Sequence, residues 1–258
     1  KEYEELSQKK KKYFDQESLT NPYSDSRILF GDPKTNVKKI LTGIDADASE
    51  ILLADRLNQK NEKIDLVLSH HPSSYALAGL HEVMDIQVEM FAKAGVPVNV
   101  SHSLIQERKG QVQRKISPSN HNQAVDTARL LNMPLMSLHT AWDNIGNKFI
   151  QDLIDGKNFH TVGEVFDFIN EIPEFIESTK GKAGPFIASG STMSRVGKIA
   201  VGFTGGTSSS KELYSELGKA GVGTLIEMHI PEDTLLELRK LHINVIDCGH
   251  MAADSIGA

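Results

Sequence analysis

A short apolar run that ends in two adjacent histidines constrains this chain more than any other stretch. Residues 65–72 read DLVLSHHP, so a predicted buried strand delivers His70 and His71 immediately before Pro72. Neighbouring side chains on a strand point to opposite faces, and two adjacent imidazoles converge only where the strand ends and the chain turns. We therefore expect this turn to form one wall of a metal site.

The segments around the doublet predict an α/β fold with mixed, largely parallel sheets. A strand within residues 37–46, a helix over residues 49–58 and the strand before His70 make a strand–helix–strand unit, which is typical of a parallel pair. A second unit of the same kind is predicted over residues 198–230, and no internal sequence repeat is evident. Functional residues of such sheets lie at the carboxyl ends of the strands, where His70 is placed.

The chain is long enough, at 258 residues, for two α/β lobes. We predict an N-terminal helical extension (residues 1–26), a first lobe (residues 27–155) and a second lobe (residues 156–258). The metal site is expected in the cleft between the two lobes.

Four further segments are assigned from their patterns. Residues 1–20 are predicted as a loose amphipathic helix, and residues 97–103 (PVNVSHS) as a strand. Residues 106–120 are expected to be a polar surface excursion or the start of a helix, and residues 181–197 a region of turns.

Composition excludes several classes of site. The single cysteine, Cys248, rules out an intramolecular disulfide, a cysteine-rich zinc site and an iron–sulfur cluster, and we expect it to be a small buried residue. The net charge of −6 argues against nucleic-acid binding. Without a long apolar run or an apolar signal-peptide core, we expect a cytoplasmic protein that does not span a membrane.

Two His-x-x-x-Asp pairs supply further metal-binding side chains. His139 with Asp143, and His250 with Asp254, each follow a short apolar strand, and their spacing puts both side chains on one face of a helix. With the doublet they offer enough imidazoles and carboxylates for two divalent ions with positions left for water. These ligands suit zinc, iron, manganese or nickel, and the lack of thiolates argues against copper(I).

Each feature also has a plainer interpretation. A single histidine is more often a hydrogen-bonded structural group, and a His-x-x-x-Asp pair on a helix is often a surface ion pair. Three such features at strand ends favour the metal site. His102, which follows the predicted strand of residues 97–103, competes with His139 for a place near the ions.

Five sequence blocks occur in the order SHHP, HTAWDN, VGFTGG, LIEMHI and CGHMAAD. Their order resembles the NIF-three-like dinuclear metal-centre family, often described as GTP cyclohydrolase I type 2-like, from about residue 27 to the end of the chain. The resemblance implies a NIF-three-like fold, a homohexamer and two divalent metal ions. The ligands that it implies are His70, His71, Asp143, His250 and Asp254.

The chain departs from the family pattern at three places. Asp254 stands where the family has Glu, which shortens the ligand by one methylene. Residues 100–135 resemble an insertion, and Trp142 replaces a smaller apolar residue.

Two residues are predicted to take part in catalysis beside the ions. His139 is expected to bind metal, orient a carboxylate or shuttle a proton, and its spacing does not separate these roles. Glu227 and His229 lie two positions apart on a predicted strand, so their side chains face the same side of the sheet. Two roles remain open for them: they polarise a metal-bound water, or they form a structural pair with each other. The loop of residues 203–210 is better explained as a tight strand-to-helix turn than as an anion site.

The sequence therefore predicts a metal-dependent hydrolase that uses a metal-bound hydroxide on a nucleotide or another small metabolite. The alternative is a non-catalytic metal-binding protein that regulates or handles metal through protein interactions. A third hypothesis is a nucleotide-binding module that uses the loop TGGTSSS. An enzyme requires an open coordination position beside a substrate-sized pocket, whereas a structural site is closed by protein ligands.

Overall fold

A computed structural model describes residues 2–258, which form two four-stranded sheets. The first sheet has the order β1-β4-β3-β2 and the second the order β5-β8-β7-β6. The strands are β1 (Ser26–Phe30), β2 (Ile40–Gly43), β3 (Leu66–Ser69), β4 (Leu135–Leu138), β5 (Phe186–Ser189), β6 (Lys198–Gly202), β7 (Val222–Glu227) and β8 (Asn244–Asp247).

The two sheets share one topology although the sequence shows no repeat. In each sheet the first strand runs antiparallel to the fourth, and the other strands are parallel to one another. The mixed, largely parallel α/β class predicted from the sequence is therefore confirmed.

Helices cover both sheets, and 3₁₀ turns lie at Gln16–Leu19 and Glu82–Asp85. The helices are α1 (Glu2–Glu5), α2 (Gln8–Lys11), α3 (Ala48–Asn58), α4 (Ser74–Ala78), α5 (Ile86–Lys93), α6 (Val98–Ile116), α7 (Gln123–Leu131), α8 (Thr140–Ile154), α9 (Val162–Ile169), α10 (Pro173–Lys180), α11 (Lys211–Lys219), α12 (Glu232–Lys240) and α13 (His250–Gly257). Among residues 2–258, no helix has the length and apolar character needed to cross a membrane.

The first sheet has one hydrophobic core, formed with α3 and α7. Ile51 and Ala128 on these helices pack with Val67 and Leu135 on the central strands, and all four are fully buried. Burying each of the larger side chains contributes about 1.5–3 kcal/mol. This core holds the carboxyl ends of β3 and β4 side by side.

The second sheet is covered on both faces, partly by helices from the first half of the chain. Leu225 packs into a core with α5, α6, α11 and α12, and the neighbouring Ile226 packs into another with α8, α9, α10 and α13. Consecutive strand residues point to opposite faces of a sheet, so Leu225 lies in the core on one face and Ile226 in the core on the other. The predicted division of the chain at residue 155 stays a prediction.

The strand predicted over residues 97–103 is wrong, because these residues begin helix α6. Ser101, Ile105 and Val112 are buried at helical spacing against the second-sheet core, and this packing overrides the strand preference of Val98 and Val100. Most of residues 106–120 continue the same helix. His102 is exposed on α6, so it does not compete with His139.

Other differences concern segments with weak patterns. The N-terminal residues form two short helices and a 3₁₀ turn instead of one helix. Residues 181–197 contain strand β5 as well as turns, and helix α10 was not predicted. His229 lies beyond the end of β7, so it does not share a strand with Glu227.

Candidate metal centre

The carboxyl ends of β3, β4 and β8 deliver the histidines predicted to bind metal. His70 and His71 follow β3, His139 follows β4, and His250 follows β8 after a turn at Gly249. Gly249 has φ of 82°, and a Cβ atom there would lie 2.2 Å from the Ala183 carbonyl oxygen. Only glycine fits this turn, which places the start of α13 at the cluster.

Asp143 and Asp254 join the histidines in one buried cluster. His70 Nε2 lies 3.2 Å from Asp143 Oδ1 and 3.4 Å from Asp254 Oδ1. The Nε2 atoms of His71 and His250 both lie 3.5 Å from Asp254 Oδ2. Asp254 therefore reaches three imidazoles despite being shorter than the glutamate of the family pattern.

His139 lies at the edge of this cluster, with its Nε2 atom 3.9 Å from Asp143 Oδ2. Together the six side chains form three overlapping groups whose ligand atoms lie within 4.8 Å of one another. The groups are His70–His71–His139, His71–His250–Asp254 and His70–Asp143–Asp254. Each of these groups could hold a metal ion.

The cluster contains buried polar atoms that have no hydrogen-bond partner. Such atoms are His70 Nε2, Asp143 Oδ1 and both carboxylate oxygens of Asp254, four of the six found in residues 2–258. Buried polar atoms in folded proteins are nearly always paired, because leaving one unpaired costs about 1–3 kcal/mol or more. A cation bound among these atoms would satisfy all four, so the donor set fits a metal.

Three histidines of the cluster are oriented through their second ring nitrogen. The Nδ1 atom of His70 lies 3.1 Å from the Leu138 carbonyl oxygen, that of His71 lies 2.8 Å from Asp45 Oδ1, and that of His139 lies 2.8 Å from Asp25 Oδ2. An Nδ1–H donated to these acceptors leaves the Nε2 lone pair directed at the cluster. This is the arrangement usual for metal-bound histidine.

Sequence reasoning missed both orienting carboxylates. Asp45 follows the carboxyl end of β2. That position could have identified it, because the carboxyl ends of parallel strands lie at the same edge of a sheet. Asp25 precedes β1, and only the antiparallel pairing of β1 with β4 brings it to His139. It is fully buried and also accepts a 2.6 Å hydrogen bond from the Thr140 hydroxyl.

The electrostatics of the cluster favour added positive charge. Burial acts to lower the pKa of His70, but the carboxylates of Asp143 and Asp254 outweigh it and raise the pKa to about 10. Burial likewise acts to raise the pKa of Asp254, but His70 and His71 outweigh it and lower the pKa. Without metal, a proton on His70 takes the place of the cation.

A cavity of about 320 Å³ opens beside the cluster. Its wall includes five members of the cluster (His71, His139, Asp143, His250 and Asp254), together with Glu227 and His229. The His229 ring stacks on that of His250, with 4.7 Å between the ring centroids. The opening places the candidate ligands beside a space of substrate size.

Glu227 lies in this cavity wall at the end of β7. Burial raises the pKa of its carboxyl well above the usual range, a hydrogen bond to Tyr214 opposes the shift, and Asp247 adds to it. These surroundings favour the neutral, protonated carboxyl over the carboxylate. Cys248, the first residue after β8, donates its backbone N–H to the Glu227 carbonyl oxygen and is buried, and burial raises the pKa of its thiol well above the usual range.

The loop of residues 203–210 forms another part of the wall and is held through its carbonyl groups. Gln87 donates to the carbonyl oxygens of Gly205 (2.6 Å) and Thr207 (2.7 Å), and Arg108 donates to that of Ser208 (3.0 Å). Ser210 then caps α11. These contacts are those of the tight strand-to-helix turn that the sequence favoured.

Comparison with known proteins identifies relatives among solved structures. No protein-family model and no curated protein matches the chain. The crystal structure of a NIF3 superfamily protein from Sphaerobacter thermophilus matches with a TM-score of 0.80 and 28% sequence identity, over 91% of this chain and 84% of that chain. Reduced HcgD from Methanocaldococcus jannaschii shares the fold, with a TM-score of 0.58 and 14% identity over 96% of this chain and 87% of that chain.

The structural match covers most of the chain, and the chain itself carries a cluster of buried histidines and aspartates that could hold metal. The resemblance of the sequence motifs to the NIF-three-like family is thus confirmed by a NIF3-like fold.

Proposed function

We propose that the chain is a dinuclear metal-dependent hydrolase that acts on a small metabolite. The observation that carries the proposal is a set of six candidate ligands, with unpaired buried atoms, at the wall of an open cavity. A closed structural site would leave no room for a substrate beside the ions.

Asp254 supports the choice of two ions over one. Its Oδ1 atom faces His70, whereas its Oδ2 atom faces His71 and His250. One ion would be held by His70, Asp143 and Asp254, and the other by His71, His250 and Asp254. Water and substrate would complete their coordination.

Bound divalent ions would supply a Lewis acid and lower the pKa of a coordinated water. The side chains then position the substrate and move protons. His139 is the group that we assign to proton transfer: its Nε2 atom faces the cluster, and its Nδ1–H is donated to Asp25. The buried Asp25 carboxylate would stabilise the imidazolium that forms when Nε2 accepts a proton.

Glu227 was predicted to act on a metal-bound water, and that role stays a prediction. Its position in the wall of the cavity favours a role in contacting the substrate instead. A homohexamer, which the family resemblance implies, is proposed as the assembly. Light scattering on the purified chain tests it.

A metal-dependence screen tests the proposed hydrolase. The stripped chain is supplied with zinc, manganese, iron or nickel and assayed on nucleotides, other phosphoesters, esters and amides. We expect about two ions per chain and turnover that Asp143→Ala abolishes but the exposed Asp152→Ala leaves unchanged. Turnover that survives complete chelation would contradict the proposal.

The same screen addresses the non-catalytic alternative. A chain that holds about two ions and hydrolyses nothing in the panel would support a metal-handling or regulatory protein. The open cavity at the cluster is what favours the enzyme.

A further inference from the structure

The cavity continues from the metal cluster into an apolar end, which we call the inner chamber. It is lined by Met90, Phe91, Tyr214, Leu217, Leu225 and Glu227. Four of these residues, Phe91, Tyr214, Leu217 and Leu225, also belong to the hydrophobic core on one face of the second sheet. A ligand group in the chamber would therefore be surrounded by apolar side chains.

Aromatic geometry shapes one side of the chamber. The rings of Phe91 and Tyr214 meet edge to face, with 6.1 Å between centroids and an interplanar angle of 75°. Tyr214 is only 4% exposed. Two fixed rings at this angle favour a flat guest that can stack on one ring and contact the edge of the other.

The chamber carries one polar pair, Glu227 and Tyr214. Burial raises the pKa of both groups, and the interaction of the two side chains raises the pKa of the Tyr214 hydroxyl further and opposes the rise in the pKa of the Glu227 carboxyl. Gly202 makes room for the carboxyl: a Cβ atom at that position would lie 2.3 Å from Glu227 Oε1. The carboxyl therefore lies directly over the Gly202 backbone and keeps a fixed place in the wall.

Lysine and arginine are absent from the residues in 2–258 that line the cavity. Its histidines belong to the metal cluster or, as His229 does, stack on one of its members. Arg108, whose charge reaches Tyr214, donates instead to the Ser208 carbonyl and to Gln111. A phosphate or carboxylate placed in the chamber would lose its hydration without gaining a counter-charge, which is strongly unfavourable.

We propose that the inner chamber binds an uncharged aromatic or heteroaromatic ring of the substrate, and that Glu227 with Tyr214 selects the ring by hydrogen bonding to one polar edge. The proposal rests on the proposed function, because the ring belongs to the same substrate whose other end reaches the metal cluster. Glu227 is then a specificity residue, and the raised pKa of its carboxyl is consistent with a neutral acid that both donates and accepts.

A matched pair of small probes tests the chamber directly. Indazole is uncharged and carries adjacent donor and acceptor nitrogens, whereas indene has the same shape and no polar atom. Dissociation constants for the zinc-loaded chain are measured by calorimetry. We expect indazole to bind roughly tenfold more tightly than indene, which is the ratio that one ordinary hydrogen bond supplies. An indazole carboxylate should bind more weakly than indazole.

Two substitutions at Glu227 separate a neutral hydrogen-bonding role from a charged one. Glu227→Gln keeps a donor and an acceptor, so the preference for indazole should persist, whereas Glu227→Met should abolish it. Tyr214→Phe should reduce it, and Glu177→Gln on the surface serves as the control. Thermal unfolding checks that each variant is folded before its binding is compared. Equal binding of the two probes, or an unchanged preference in Glu227→Met, would overturn the proposal.

The experiments distinguish a failure of the chamber proposal from a failure of the hydrolase proposal. In the Asp143→Ala chain without metal, indazole should still bind more tightly than indene, because the chamber is built by other residues. If the chain binds indazole and hydrolyses nothing, the binding inference stands and the hydrolase proposal fails. If it hydrolyses substrates and shows no ring preference, the chamber inference fails.

Discussion

Single residues outside the ligand set control how the ligands are held. Asp45 accepts from His71 while remaining 74% exposed, so it can be changed without opening the core. We expect Asp45→Ala to weaken metal binding about 10- to 100-fold while leaving the fold intact, because His71 loses its fixed tautomer and orientation. Zinc titration of the purified variant measures the effect, with Asp152→Ala as the control. Identical zinc affinity in the variant and the wild type would argue against an orienting role.

The titration of His70 predicts how the metal-free chain responds to pH. The folded-state pKa of about 10 lies above the ordinary value of 6.5, so folding favours the protonated imidazole. The resulting stabilisation is fully present below pH 6.5 and is lost as the pH rises towards 10. Chemical denaturation in the presence of a chelator should therefore show a falling free energy of unfolding over this range.

Metal provides the control for the pH experiment. In the zinc-loaded chain the cation replaces the proton on His70, so the loss of stability at high pH should be smaller. A metal-free chain whose stability is constant from neutral pH to pH 10 would contradict the charge balance deduced for the cluster.

Among the elements, the turn at Gly249 is the one on which the site depends most. Gly249→Ala combines a left-handed φ with a clash against the Ala183 carbonyl, whereas Gly156, with φ of 76°, has nothing within 4 Å of an added Cβ. We expect Gly156→Ala to cost about 1 kcal/mol and to keep the metal. Gly249→Ala should cost more and lower the metal content, because it displaces the start of α13.

Thermal unfolding together with metal analysis distinguishes these two glycine variants. If the two substitutions lower the melting temperature and the metal content equally, then the positive φ alone accounts for the cost and the contact with Ala183 does not contribute.

The elements differ in how far their own sequences determine them. Helix α7 is determined largely by its own sequence, which has an apolar stripe at helical spacing between polar ends. Helix α6 was mistaken for a strand in its first turn, since Val98 and Val100 favour a strand locally and the core contacts of Ile105 decide otherwise. Strand β5, which pairs with β8, is similarly defined by its partner more than by its own pattern.

The candidate site shows the same division between local and distant information. His70 and His71 carry a local pattern, as do the two His-x-x-x-Asp pairs, so their convergence could be predicted from strand ends. Asp25 accepts a hydrogen bond from His139, which lies 114 residues further along the chain, and no local sequence pattern predicts that contact. The inner chamber also escaped prediction, because it combines α5 and α11 with β7.

At the scale of the whole molecule, the metal cluster joins the two sheets. His70 and His71 follow the first sheet, His250 and Asp254 follow the second, and Asp143 lies on α8, which packs against the second-sheet core. Because α5, α6 and α8 pack on the second sheet, the cores of that sheet also depend on the first half of the chain. We therefore expect the molecule to unfold as one unit, stabilised by bound metal.

Trp142 makes this last expectation measurable. It is the single tryptophan, and its ring stacks on His70 with 5.8 Å between ring centroids and an interplanar angle of 6°. Unfolding followed by Trp142 fluorescence reports on the cluster, whereas far-ultraviolet circular dichroism reports on all helices. The two curves should coincide and shift together to higher temperature when zinc is added, because binding raises the free energy of unfolding by about 2.7 kcal/mol at a zinc concentration one hundred times Kd. Separate transitions, or a shift seen only by Trp142, would show that the two sheets unfold independently and that the cluster does not join them.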